Sequence, residues 1–253
     1  MSAHTMRVAV LGAGGRMGSE AVRAVESAPD MELTAALGRG DSLHQAVEAG
    51  ATHVVDLTVP DSTVENVHGA VEQGLHAVVG TTGWDASRLE ALRRLLEAHT
   101  EVGVLIAPNF ALGSVLASAF AAKAAQYFES AEIVELHHPN KVDAPSGTAV
   151  RTAELMAQAR QSAGVGLSPD ATAQQVEGAR GADIDGIRVH SVRLRGLVAH
   201  QEVLLGSAGE QLTLRHDSFD RASFMPGVML GLRTVAKRPG LTHGLDGYLD
   251  LGL

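Results

Sequence analysis

The chain has no cysteine and very few aromatic residues. The absence of cysteine excludes disulfides, cysteine-ligated zinc sites and a cysteine nucleophile. Aromatic residues make up only 3% of the 253 residues, so a core has to be built mainly from Ala, Val and Leu. No apolar stretch is long enough for a signal peptide or a transmembrane helix. We therefore expect a cytoplasmic protein with no membrane partner.

Basic residues are also in deficit. The formal net charge of −9 argues against a nucleic-acid partner, because general nucleic-acid binders carry a basic face. Hydrophobic residues make up 45% of the chain and charged residues 19%, which is typical of a folded protein. The length is sufficient for one large domain or two modest ones.

Short apolar runs alternate with helical patterns in the first half of the chain. The predicted strands are RVAVLG (7–12), ELTAAL (32–37), HVVDLT (53–58), HAVVGTTG (76–83) and VGVLIAPNF (102–110). Helices are predicted between them at 17–27, 61–73 and 85–99. This alternation predicts an α/β fold with a Rossmann-like, doubly wound parallel sheet. Ligands of such sheets bind at the carboxyl ends of the strands.

The second half has a different pattern. A strand is predicted at 131–138, and three further runs with period-two alternation are IRVHSVRL, HQEVLLGS and EQLTLRHDS. They predict an α+β domain with an open, mixed or mostly antiparallel sheet, and the stretch from 161 to 186 is predicted to be irregular. We assign 1–111 and 221–253 to the parallel-sheet domain and 112–220 to the second, mixed-sheet domain.

A glycine-rich turn, GAGGRMG, follows the first predicted strand. Its spacing is G-x-x-G-x-x-G through Gly12, Gly15 and Gly18 rather than the standard G-x-G-x-x-G. Such glycines permit a tight turn and a close approach of the backbone to a pyrophosphate, which the following helix N-terminus attracts. Although such turns also occur for packing alone, the position between a strand and a helix favours dinucleotide binding.

The end of the second predicted strand bears on the choice of cofactor. NAD-binding domains place an acid there for the adenine ribose, but this chain has Gly38 and Arg39. Glu32 lies at the wrong end of the strand, and Asp41 lies further into the loop. An arginine in place of the acid favours a 2′-phosphate, with Arg16 as a second cation. We predict that NADPH is preferred and NADH is still used; alternatively, Arg39 is only a solvated loop residue.

The most unusual segment is ELHHPNKVDAPSGTA, which contains His137, His138 and Lys141. Metal binding is disfavoured, because adjacent strand residues point to opposite faces and no carboxylate pair completes a site. The histidines could also be purely structural, or they could transfer protons and bind an anion.

The residues after this cluster favour the last alternative. PSGTA predicts a helix start, with Ser146 or Thr148 as the cap and free backbone N–H groups at Gly147 and Thr148. A helix N-terminus of this kind binds a carboxylate or phosphate. One segment thus combines proton-transfer groups, cations and an anion site, which fits a small carboxylate substrate.

Five segments of the chain carry a family resemblance: GAGGRMG, VGTTGW, APNFALG, ELHHPNKVDAPSGTA and GARGADIDGIRVHSVRLRGLVAHQEVLLG. Together they resemble the 4-hydroxy-tetrahydrodipicolinate (dihydrodipicolinate) reductase family of lysine and diaminopimelate biosynthesis. The resemblance runs nearly end to end. It implies an NAD(P)H-dependent oxidoreductase with a dinucleotide-binding domain (1–111 and 221–253). Its mixed-sheet domain (112–220) would serve substrate binding and oligomerisation and would build a homotetramer. Hydride would pass to the ring of a cyclic dicarboxylate.

The resemblance also implies roles for single residues. His137 would be the proton donor or acceptor, Lys141 a second proton donor, and His138, Gly147 and Thr148 contacts of the substrate carboxylates. Arg39 would match the 2′-phosphate contact, whereas Gly38 departs from the acid that relatives often carry. The implied cofactor-binding residues are Gly12, Ala13, Gly14, Gly15, Arg16, Met17, Arg39, Gly80, Thr81, Thr82, Ala107, Pro108, Asn109 and Phe110.

Other functions remain open at this point. Another nicotinamide-dependent dehydrogenase would explain the glycine turn but not the His-His-Lys segment. A hydrolase using Ser146 with His137 would lack the G-x-S-x-G elbow. A non-catalytic, cofactor-binding sensor would have no need of both His137 and Lys141.

Overall fold

The computed structural model describes residues 5–252 and divides them into two compact units. The first unit holds the chain up to Ala111 together with Phe224–Asp250, and the second holds Leu112–Ser223 with residues 251 and 252. Within the described residues, every helix is too short or too polar to cross a membrane.

The helices and strands follow one another through the described residues. The first nine are β1 (Met6–Leu11), α1 (Arg16–Glu26), β2 (Met31–Leu37), α2 (Leu43–Glu48), β3 (His53–Asp56), α3 (Thr63–Glu72), β4 (His76–Val79), α4 (Ala86–Glu97) and β5 (Gly103–Ile106). The others are α5 (Leu112–Ala124), β6 (Ser130–His137), α6 (Gly147–Ser162), β7 (Ala182–Ile184), β8 (Ile187–Arg193), β9 (Ala199–Ser207), β10 (Glu210–Ser218), α7 (Met225–Val235) and β11 (Gly240–His243). Two short 3-10 helices span Arg221–Phe224 and Leu245–Tyr248.

The first unit is built around a parallel sheet in the order β11-β5-β4-β3-β1-β2. Alternate residues of each strand face opposite layers of helices. Ala77 and Val79 belong to the core formed with α3 and α4, whereas Val78 and Leu105 lie against Gly231 of α7. The predicted Rossmann-like architecture is confirmed. The sequence pattern missed α2 and the edge strand β11.

The second unit has a five-stranded sheet in the order β10-β9-β6-β8-β7. β6 and β8 run parallel, and the other neighbours are antiparallel, so the sheet is mixed as predicted. Its core joins Ile133, Val189 and Val203 of the sheet to Ala153 and Met156 of α6. The prediction that 161–186 is wholly irregular was wrong, because β7 lies within it and pairs with β8.

A pair of histidines lies at the amino ends of neighbouring strands in the first unit. His53 and His76 are register partners on β3 and β4, with ring centroids 4.9 Å apart. The backbone N–H of Gly103 donates to Nδ1 of His76, and Thr52 hydrogen-bonds to Nδ1 of His53. Burial, together with the charge of His76, lowers the pKa of His53 from 6.5 to about 4.

We predict that acid destabilises the chain partly through His53. Between about pH 6.5 and pH 4, the unfolded chain binds a proton at this position and the native chain does not, so stability falls as the pH falls. For His53→Gln, the loss of stability between about pH 7.5 and pH 5 should be smaller by roughly 2 kcal/mol. Thermal unfolding at the two pH values measures this difference.

The matched control is His44→Gln, because His44 is an exposed residue of α2. That variant should keep the pH dependence of Tm seen in the unaltered chain. If His53→Gln keeps it too, the buried histidine does not contribute to acid sensitivity.

Candidate active site

The glycine turn after β1 is shaped by close backbone contacts. Gly12 has a φ of +80°, and a Cβ there would lie 2.6 Å from the carbonyl oxygen of Leu57. A Cβ on Gly18 would lie 2.0 Å from the carbonyl oxygen of Gly12, so α1 packs directly on the turn. Gly15 precedes α1 without a side-chain cap, and a Cβ on exposed Gly14 would meet no atom within 4 Å. This turn leaves room for a pyrophosphate at a helix N-terminus.

A cavity of about 590 Å³ opens beside this turn, entirely within the first unit. It is lined by Gly12, Gly14 and Gly15 and by the loop after β2, which contains Gly38 and Arg39. The other residues predicted for this turn are Ala13, Arg16 and Met17. Ala13 lies in the turn but does not line the cavity, and Arg16 and Met17 are the first residues of α1. The backbone of the glycine turn, the guanidinium of Arg39 and the volume of this cavity fit a dinucleotide.

Asp41 reaches back towards the end of β2. Its Oδ2 accepts a hydrogen bond from the backbone N–H of Gly38 at 2.7 Å, and both residues line the cavity with Arg39. The sequence analysis placed Asp41 further along the loop, but the turn brings its carboxylate beside the position where NAD-binding domains carry their acid.

A buried carboxylate at the end of β3 holds the neighbouring loops together. Asp56 accepts hydrogen bonds from Asn66 Nδ2 at 3.0 Å, Thr58 Oγ1 at 2.6 Å and Thr81 Oγ1 at 2.8 Å. The hydroxyl of buried Thr81 therefore donates its proton to Asp56. Sequence reasoning missed Asp56, although an acid ending an apolar strand, HVVD, is a recognisable signal.

The loops after β4 and β5 follow neighbouring strands at the same edge of the sheet as the glycine turn. A Cβ on Gly80 would lie 2.9 Å from the ring of buried Phe110, so the two loops are in contact. Between them, Ala107 donates to the carbonyl of Val79, and Asn109 Oδ1 accepts from Ala111 N–H. Of the residues predicted to contact the cofactor in these loops, Thr82 and Pro108 are exposed.

In the second unit, the His-His-Lys segment begins at the end of β6. The side chain of His137 is only 14% exposed, and its Nδ1 lies 2.5 Å from Oε2 of fully buried Glu135. His138 is half-buried, and its Nδ1 is buried with no hydrogen-bond partner among the described residues. An unpartnered buried nitrogen fits a ligand contact.

Glu135 is also bound by an arginine that the sequence analysis did not identify. Arg193 forms a bidentate pair with it, from Nη2 to Oε1 at 2.7 Å and from Nη1 to Oε2 at 2.9 Å. Burial raises the pKa of Glu135, but the hydrogen bonds from Arg193, Ser191 and His137 outweigh burial and hold the pKa below its usual value. Burial lowers the pKa of His137, and the Glu135 hydrogen bond opposes that effect.

Lys141 and the start of α6 share a second carboxylate. Asp143 Oδ1 accepts from Lys141 Nζ at 2.7 Å, and Oδ2 accepts from the Gly147 N–H at 3.3 Å. Gly147 is exposed, and a Cβ there would meet no atom within 4 Å. Because Gly147 and the half-buried Thr148 are the first residues of α6, an anion can approach this helix N-terminus.

Ser146 serves as the helix cap. Its Oγ accepts from Ala149 N–H at 3.2 Å, and its side chain is buried, so a role as a hydrolytic nucleophile has no support in the geometry. Within residues 5–252, no three His, Asp or Glu side chains are clustered so that they could hold a metal ion. The second unit therefore groups His137, His138, Lys141 and the start of α6, as the sequence analysis expected of its substrate site.

Comparison with known proteins gives matches over both units. Residues 6–110 match the family model of the dihydrodipicolinate reductase N-terminus, and residues 113–249 match that of the C-terminus. The chain is 63% identical to a 4-hydroxy-tetrahydrodipicolinate reductase of Streptomyces coelicolor over 97% of this chain and 98% of the relative. It is 61% identical to a reductase of the same name from Nocardia farcinica, over 98% and 100% of the two chains.

A solved structure is similar as well. The dipicolinate-bound dihydrodipicolinate reductase of Paenisporosarcina sp. TG-14 is 39% identical, covers 97% of this chain and 100% of its own, and has a TM-score of 0.85. Both family models match in order, and full-length relatives share well over half of their residues with this chain. The chain belongs to the dihydrodipicolinate reductase family.

Proposed function

We propose that this chain reduces 4-hydroxy-tetrahydrodipicolinate with NAD(P)H, the family's step in lysine and diaminopimelate biosynthesis, and that His137 transfers the proton. The observation that carries the assignment of residues is the second unit's grouping of a mostly buried histidine, a lysine and a helix N-terminus. The dipicolinate bound to the Paenisporosarcina relative is a cyclic dicarboxylate, which suits such a site.

The residues of the second unit divide the work of proton transfer and binding. His137 has Nδ1 engaged by Glu135, so its Nε2 is the nitrogen that exchanges a proton with the substrate, and Lys141 is the second donor. The substrate carboxylates bind His138 and the N–H groups of Gly147 and Thr148 at the start of α6. Asp143 yields its contacts with Lys141 and Gly147 when a substrate carboxylate arrives.

The residues of the first unit hold the cofactor, which supplies the hydride when bound. The turn from Gly12 to Met17 takes the pyrophosphate, and the loops after β4 and β5 take the nicotinamide side (Gly80, Thr81, Thr82, Ala107, Pro108, Asn109 and Phe110). Arg39 favours the 2′-phosphate of NADPH, and NADH remains a substrate. The homotetramer and the cytoplasmic location stay predictions of the family resemblance.

The assay that tests this function follows the absorbance of NADPH and NADH in parallel. The substrate is generated in place by the preceding synthase from pyruvate and aspartate semialdehyde. Cofactor oxidation that depends on the synthase supports the reductase. Its absence with both cofactors would leave another dehydrogenase or a cofactor-binding sensor.

We predict that His137→Gln lowers kcat by on the order of 100- to 10,000-fold, because one positioned acid–base group is lost. The Kd of the cofactor, measured by fluorescence titration, should hardly change, since the cofactor contacts lie in the first unit. The matched control is His190→Gln: His190 contacts Glu132 at 2.7 Å much as His137 contacts Glu135. An unchanged kcat for His137→Gln would exclude its role in proton transfer.

For Arg39→Ala, we predict that kcat/KM falls about 10- to 100-fold with NADPH and much less with NADH, since a charge-assisted contact to the 2′-phosphate is lost. Arg94→Ala serves as the control, because Arg94 is an exposed residue of α4. Equal losses with the two cofactors would contradict the assignment of Arg39 to the 2′-phosphate.

A further inference from the structure

We propose that Glu135 is a positioning residue that holds the ring of His137 with Nε2 directed to the substrate and couples that ring to the start of α6. This inference rests on the proposed function and adds a residue to its proton-transfer machinery. Glu135 does not touch the substrate in this scheme. It acts through His137.

The first support is the complete use of the buried carboxylate. The Glu135 side chain is 0% exposed, and each oxygen has at least two donors. Oε1 accepts from Arg193 Nη2 at 2.7 Å and from the Ser146 N–H at 3.2 Å. Oε2 accepts from Arg193 Nη1 at 2.9 Å and lies 2.5 Å from His137 Nδ1. A carboxylate held at four points cannot rotate without losing contacts that water cannot replace.

The second support is the strand register, which makes this arrangement a property of the sheet. Residues two apart on a strand share a face, so Glu135 and His137 project to the same side of β6. β8 runs parallel to β6, with Ser191 opposite Glu135 and Arg193 opposite His137. The arginine, the carboxylate and the imidazole are therefore neighbours by backbone geometry.

The consequence for His137 concerns the tautomer. An ionised carboxylate can only accept hydrogen bonds, and the bidentate Arg193 keeps Glu135 ionised. Nδ1 of His137 must then carry the proton of the neutral ring, and Nε2 is the nitrogen that gains and releases the transferred proton. Arg193 on β8 and His137 on β6 are thus linked through the same carboxylate.

The same carboxylate also anchors the anion site. Its contact with the Ser146 N–H fixes the residue that caps α6, one position before Gly147. The distance between the proton-transfer group and the N–H groups assigned to the substrate carboxylate is therefore set through Glu135. Proton transfer requires such fixed geometry, because small displacements are costly in rate.

Glu135→Gln tests the proposal, since the amide keeps the shape but removes the charge and brings a donor. We expect kcat to fall by on the order of 10- to 1,000-fold, because the ring of His137 can take the wrong tautomer. The amide oxygen of Gln can still accept from the Ser146 N–H, so the KM of the substrate should change far less than kcat.

The pH profile gives a reading that a merely structural role would not change. The charged groups around His137 are Glu135 on its own strand, Arg193 on β8 and Lys141 with Asp143 in the following loop. Glu135 stabilises the imidazolium, and both cations oppose it. If protonated His137 donates the proton, activity declines as the pH rises through its pKa. Removing the charge of Glu135 lowers that pKa further, so in Glu135→Gln the decline should begin at a lower pH. Histidine C2-hydrogen exchange, followed by mass spectrometry, reads the same shift without any assay of activity.

Glu132 offers a matched control three residues earlier on β6. It binds Arg180 and His190 as Glu135 binds Arg193 and His137, but it projects to the opposite face of the strand. Glu132→Gln should keep both kcat and the pH profile. If Glu135→Gln behaves like Glu132→Gln, the proposal is overturned.

Two further outcomes are separable. If Glu135→Gln does not fold, Glu135→Asp is the second variant, because it keeps the charge but moves the carboxylate away from His137. Its kcat should still fall. An unchanged kcat would overturn the proposal. If the unaltered chain has no reductase activity, the proposed function fails. The exchange measurement at His137 still decides whether Glu135 sets the state of its ring.

Discussion

The buried ion pair between Glu135 and Arg193 is the interaction on which the second unit's site depends. An unpaired carboxylate in that position would be strongly disfavoured and would take up a proton. Arg193, on the neighbouring parallel strand, stabilises the charged form because its Nη1 and Nη2 both donate to the carboxylate. The ionised, buried carboxylate also accepts hydrogen bonds from the ring of His137 and from the N–H of Ser146. The ion pair thus fixes strand, loop and helix relative to one another.

The first unit uses the same physical device at a different place. Asp56 ends β3 as a fully buried carboxylate and accepts from Thr58, Asn66 and Thr81, which lie on three separate segments. Its partners are hydroxyls and an amide rather than an arginine, so the carboxylate organises loops instead of tuning a neighbouring titratable group. In both units, a buried acid near the carboxyl end of a strand gathers segments that are distant in the sequence.

Local patterns were sufficient for most of the fold and for the candidate ligand loops. The strand–helix alternation predicted the parallel sheet, and the PSGTA segment predicted the start of α6 because its capping chemistry is local. β11 and β7 were missed, since each is a short strand defined by a partner rather than by its own alternation. Arg193 was missed for the same reason: its register opposite His137 depends on a parallel crossover that no local pattern encodes.

Asp143 holds two groups that the proposed reaction assigns to the substrate. Lys141 Nζ and the Gly147 N–H both donate to its carboxylate, so the chain itself supplies an acceptor for both groups. In the proposed reaction, a substrate carboxylate exchanges with a carboxylate of the chain, and the number of charge-assisted hydrogen bonds stays nearly constant. Binding therefore gains little net energy from this exchange, because one anion replaces another. In that scheme, discrimination for a dicarboxylate falls to the second carboxylate and to His138, whose buried Nδ1 has no hydrogen-bond partner among the described residues.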